Sequence, residues 1–151
     1  MGSLRRRVLA GACAGVVAST LLATGAPAGA VPTKGGIDSC SLITNEDLLS
    51  MQSPGTLDRT DKRSAKHCRY HLDGGSTINL FVDKASDFKG EKADVKKAEK
   101  VGGLPSGYSG DVHGDSQVGF KAGANAIRIV STKVEAPDLI LVAKAIEKHL
   151  S

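Results

Sequence analysis

His67 to Asp83 reads H-C-R-Y-H-L-D-G-G-S-T-I-N-L-F-V-D. Cys68, Tyr70 and Leu72 alternate with His67, Arg69 and His71. Beyond Asp73-Gly74-Gly75, Ile78, Leu80 and Val82 alternate with Asn79, Phe81 and Asp83. Side chains of a strand point alternately to opposite faces, so two period-2 runs around a D-G-G turn predict a β-hairpin with one apolar face. The parity puts Cys68 on that inward face.

Upstream, Thr44 followed by Asp47 forms a capping-box-like start, and Asn45, Glu46 and Asp47 suit a helix N-terminus. This predicts a first helix over Thr44 to Met51, ended by Ser53-Pro54-Gly55. Leu57 to Lys66 reads as a polar, charged connection. Downstream, Ser86 is expected to cap a second helix, Asp87 to Val101, which Gly102-Gly103 and Pro105 stop. Short strands follow around Ser116 to Lys121 and Ala126 to Lys133, with a weaker one over Gly107 to His113. Pro137 opens a last helix, Asp138 to Leu150, whose apolar face is Leu139, Val142, Ala143, Ile146 and Leu150. The expected class is α+β: a mostly antiparallel sheet of about 4–5 strands, three helices packed against it, and one disulfide.

At the amino end, Arg5, Arg6 and Arg7 precede an uncharged run and the small-residue sequence T-G-A-P-A-G-A. That is the pattern of a secretory signal peptide cleaved after Ala30. Residues 31–37 then form a flexible lead-in, and 38–151 a single secreted domain. An uncleaved leader that retains the chain at the membrane is the alternative. Gly, Ala, Ser, Thr and Pro27 dilute the run, so no stable membrane anchor is expected. The whole chain carries 20 basic and 16 acidic residues, a net of +4; without the leader's three arginines it is 17 against 16, or +1. That balance, with 3% aromatic residues and no tryptophan, argues against a nucleic-acid partner. Export also leaves two cysteines, Cys40 and Cys68, and an even pair in an oxidising compartment predicts one disulfide. A zinc site built from them with His67 or His71 lacks any C-x-x-C pair.

C-S-L-I-T-N-E-D-L-L from Cys40 resembles the C-S-L-L-T opening of a family of actinobacterial secreted proteins and lipoproteins of unknown function. Cys68-Arg69-Tyr70 is similar to that family's C-x-W/Y strand, and Val101-Gly102-Gly103-Leu104 with Tyr108 to its V-x-G-L-x-x-x-Y segment. Members often carry a lipobox, which this chain lacks. The resemblance implies an envelope-facing, non-catalytic role.

Candidate sites are few. His67 and His71 lie ~13 Å apart along a strand, too far to share one metal, and are expected on the face opposite the core. Ser106 and Ser109, in L-P-S-G-Y-S-G, are outside any G-x-S-x-G elbow. Asp111, His113 and Asp115 lack the ligand count of a calcium loop. No nucleophile–base pair, carboxylate pair or metal cluster is visible, so the chain is expected not to be an enzyme and to use no metal or cofactor. Two surfaces stand out. Lys89, Lys92, Lys96 and Lys100 fall at helical spacing on the second helix, and Arg59, Lys62, Arg63 and Lys66 cluster before the hairpin. Together they could meet an anionic envelope component or an acidic extracellular protein, although Glu91, Asp94 and Glu99, Asp58 and Asp61 intersperse them and suit a plain solvated face. The loop Leu104-Pro105-Ser106-Gly107-Tyr108-Ser109-Gly110 would serve instead in a small inhibitor of an extracellular hydrolase.

Overall fold

A computed structural model describes residues 36–53 and 55–151. The leader, its cleavage site and residues 31–35 of the lead-in lie outside the described residues.

The hairpin forms as its alternation requires: β2 (His67–Leu72) pairs antiparallel with β3 (Thr77–Lys84) across Asp73–Gly75. Gly74 and Gly75 both take positive φ there, which the D-G-G turn supplies without side-chain strain. Leu57 to Lys66 is not a connection. Leu57–Ser64 forms β1, an edge strand on β2. With its face exposed at nearly every position, it had no apolar alternation to betray it.

The second helix is also corrected. α2 covers only Phe88–Ala93, and no side chain caps it, Ser86 included. Lys96–Lys100 is instead β4, the opposite edge strand. The physical reason lies in two apolar residues. Val95 packs with Phe88 and Tyr108, whereas Val101 joins the main core. β4 reaches both through a register shift between Lys96 and Glu99, where Lys97 has φ 51°. Such a bulge swaps the strand's inward parity.

β5 (Tyr108–Val112), β6 (Asp115–Ala122) and β7 (Asn125–Ser131) complete a sheet of seven strands rather than four or five, all antiparallel, in the order β1-β2-β3-β7-β6-β5-β4. Two meanders, β1-β2-β3 and β4-β5-β6-β7, join where β3 meets β7. α1 (Asn45–Leu49) starts with the capping box read from sequence: Thr44 Oγ1 accepts from the Asp47 amide, and Asp47 accepts from the Thr44 amide. α3 (Ala136–Leu150) lies mainly across β6 and buries Leu139, Val142, Ala143 and Ile146. The disulfide joins Cys40 to Cys68 and fastens the 3-10 turn Ser39–Ser41 to β2. Tyr70 reinforces it, its fully buried hydroxyl donating to the Ser39 carbonyl at 2.6 Å and accepting from the Ile43 amide. Among the described residues no helix is long and apolar enough to cross a membrane.

Candidate functional site

The sheet has one face under α1 and α3 and another that is only half covered. On this second face α2 and the start of β4 lie over β5 and β6. The cover is close: a Cβ on Gly110 would stand 2.6 Å from Val95, and Phe88 and Val95 pack on the Tyr108 ring, which itself lies over Gly119. Over β1, β2, β3 and the adjoining part of β7 the side chains of this face are only half-buried or exposed.

The register arranges the side chains of this open half in rows, since directly paired residues share a face. One row runs His67, Phe81, Arg128, Gly119, Tyr108. In it His67 stacks on Phe81 with ring centroids 4.2 Å apart, and the Arg128 guanidinium sits 4.2 Å from the same ring. The next row runs Asp61, Arg69, Asn79, Val130, Gln117. Here Arg69 Nε donates to Asn79 Oδ1 at 2.9 Å, with His67 Nε2 at 3.4 Å from the same oxygen. Arg59 and His71 begin a third row. Three side chains converge on Asp61: the His71 imidazole at 2.8 Å and the Arg63 and Arg59 guanidinium groups at 3.5 and 3.8 Å. The His71 hydrogen bond, with the Arg59 and Arg63 charges beside it, holds the Asp61 carboxyl below its usual range.

At the margin of the covered half, Arg128 meets Asp83 at 3.4 Å and Glu91 at 4.0 Å. A pocket of about 200 Å³ opens there between Glu91, Asp94, Val112, Gln117 and Arg128. Glu91 Oε2 and Arg128 Nε are buried without a hydrogen bond. Burial, reinforced by the neighbouring Asp83 carboxylate, pushes Glu91 up to about 7. Desolvation disfavours the charged form, and Arg128 only partly offsets it.

The expected basic surface is divided by the fold. Lys89 and Lys92 stand on α2, Lys96 and Lys100 on β4, Arg59, Lys62 and Arg63 on β1, and Lys66 in the β1–β2 turn. β1 and β4 are opposite edges of the sheet, six strand spacings or ~29 Å apart. The two clusters therefore do not form one surface, and the four lysines do not share a helix. Lys62 is further engaged with Asp38 at 3.0 Å.

The loop fares similarly. Leu104, Gly107, Tyr108 and Ser109 are buried, and Tyr108 to Gly110 belong to β5. Only Pro105 and Ser106 are exposed, and the Pro105 carbonyl accepts from the Lys121 amide. His67 and His71 do face away from the core, but half-buried and engaged as above. His149, isolated in sequence, meets the Asp47 carboxylate at 3.1 Å. Arg69, Asn79, Phe81, Glu91 and Arg128 were not singled out from sequence. All but Glu91 occupy outward parity in strand runs, and the cross-strand register that unites them is not written in any local pattern. Among the described residues no three His, Cys, Asp or Glu side chains are placed to hold a metal ion. No family model, curated protein or solved structure matches this chain.

Proposed function

We propose that the chain is a secreted, non-enzymatic recognition domain acting at or near the cell envelope. The observation that carries this reading is the open half-face of the sheet. Its polar side chains are held in fixed arrangement by stacking and by shared acceptors, as a binding surface on a rigid scaffold is. The leader-like amino end and the Cys40–Cys68 disulfide support an oxidising destination. The resemblance from Cys40 onward adds an envelope-facing setting. A hydrolase inhibitor presenting Leu104 to Gly110 draws no support from a segment so largely packed away.

The test is fractionation of the native culture, with the amino terminus sequenced and thiols alkylated without reductant. Val31 as first residue, no alkylation at Cys40 or Cys68, and saturable binding of the purified domain to isolated envelope are expected. Cytosolic protein with both thiols alkylated would overturn the reading.

A further inference from the structure

We propose that the open face over β1, β2 and β3 binds phosphate groups of an anionic polymer, with Arg69 as the anchoring side chain and Arg59 and Arg63 completing the site. This rests on the recognition reading above and names its ligand class. Arg69 is half-buried in the middle of the face and fixed by the Asn79 carbonyl, yet its terminal Nη groups make no hydrogen bond among the described residues. No carboxylate among them lies within ion-pair distance of it. The acid directly across the strand pair, Asp61, is already taken by His71, Arg59 and Arg63. Two arginines and a histidine thus hold that carboxylate, and Arg69 is left without one. A guanidinium partly withdrawn from water without an anion is a cost to the fold, and an external anion removes it.

The geometry suits phosphate groups carried on a polymer. Arg59 stands one strand and one row from Arg69, their backbones ~8 Å apart, so the two can engage separate groups of one extended chain. The planar fork of each arginine can engage a phosphate bidentately, which a lysine cannot. The only exposed large apolar side chain among the described residues is Leu49, on α1 beneath the other face. The open face therefore offers nothing to insert into a bilayer and no protruding aromatic to anchor a protein partner.

Long-chain inorganic polyphosphate is the probe, titrated into the purified domain and followed by calorimetry. Orthophosphate, poly-glutamate and phosphatidylglycerol vesicles run in parallel. Binding to polyphosphate should weaken at least tenfold between about 50 and about 200 mM salt. Arg69→Gln and Arg69→Lys should each weaken it about tenfold, the lysine variant because it keeps the charge but loses the fork. Asn79→Ala should weaken it at an unchanged melting temperature, and Lys96→Gln with Lys100→Gln, on the far edge, should leave it unaltered. Arg59→Gln, an exposed change that the fold tolerates, keeps the test valid if Arg69 variants unfold. Equal affinity for poly-glutamate or for vesicles overturns the polymer assignment in favour of a protein or a lipid surface. Binding of orthophosphate as tight as polyphosphate overturns the extended site. Wild-type affinity in folded Arg69→Gln and Arg59→Gln overturns the placement. If none of the four probes binds, the phosphate site is wrong, while export and envelope capture still stand or fall on their own measurement.

Discussion

Replacing Cys40 and Cys68 together by alanine tests how the chain from Ser39 to Leu49 is fastened. The bridged residues are 28 apart in sequence, and loop-closure entropy for a ring of that size corresponds to about 3.5 kcal/mol at 25 °C. Two other fastenings act on the same stretch: the Tyr70 hydroxyl between Ser39 and Ile43, and the burial of Leu42 and Leu48. Both act in the folded state and leave the unfolded chain unrestricted, so they do not replace the cross-link. The expected loss is therefore about 3–4 kcal/mol, a large share of the ~5–15 kcal/mol of an ordinary domain. Guanidinium unfolding of the oxidised parent and the double variant measures it, and the slope should rise because the freed unfolded chain exposes more surface. Tyr70→Phe in each background completes a cycle. In the oxidised protein it should cost about 1–2 kcal/mol, leaving a buried carbonyl and amide without their partner. A coupling of at least about 0.5 kcal/mol is expected, because both fastenings order one segment. A cross-link loss under about 1 kcal/mol, or strict additivity, would show that core packing alone holds the segment and that the staple account is wrong.

Glu91 gives a pH-dependent prediction. Its pKa is raised in the folded chain from 4.5 to about 7, so between those values the folded state binds a proton that the unfolded state has released. Stability is therefore greatest on the acid side and declines as pH rises through about 7. The rise corresponds to ~3 kcal/mol at most, and the residual solvent contact reduces this to about 1–2 kcal/mol. Glu91→Gln should be nearly neutral at pH ~5 and stabilising at pH ~8 by that amount; equal effects at both, read by chemical denaturation, refute the assignment. Gly119→Ala should cost about 1–3 kcal/mol, because its methyl would meet the Tyr108 ring at 2.5 Å, and adding Tyr108→Leu should recover part of the loss in thermal melts. Leu139→Ala, at the fully buried face of α3, should cost about 2–5 kcal/mol; a loss under ~1 kcal/mol would mean that α3 is not seated on the sheet.

The hairpin, the capping box, α3 and the cysteine pair were legible because each is a local pattern with a local cause. Cys68, Tyr70 and Leu72 point inward by alternation alone, and Thr44 with Asp47 close their reciprocal bonds within one turn. β1 and β4 were not legible for the converse reason. Their strand state comes from neighbours distant in sequence, and L-D-R-T-D-K-R-S and K-K-A-E-K offer almost nothing apolar to alternate. In K-K-A-E-K the lysines at helical spacing even favour the wrong element, and only the need to place Val95 and Val101 on opposite sides of the sheet overrides it. The same holds for the open face. That His67, Arg69 and His71 point outward was readable, but their meeting with Asp61, Asn79, Phe81 and Arg128 depends on strand order and register.

Both edges of the sheet bear on what reaches that face. A free edge is a template for strand addition, and proteins blunt it with charge, especially lysine, and with bulges. β1 carries Asp58, Arg59, Asp61, Lys62 and Arg63 with register shifts at both ends, and β4 carries three lysines around a bulge at Lys97. Partners that add a strand are thus opposed at both ends, and with them the commonest backbone-mediated route of recognition by a sheet. On the recognition reading proposed above, the work of binding would then fall to side chains on the uncovered face. There an arginine held by an asparagine gives direction that a mobile surface lysine lacks.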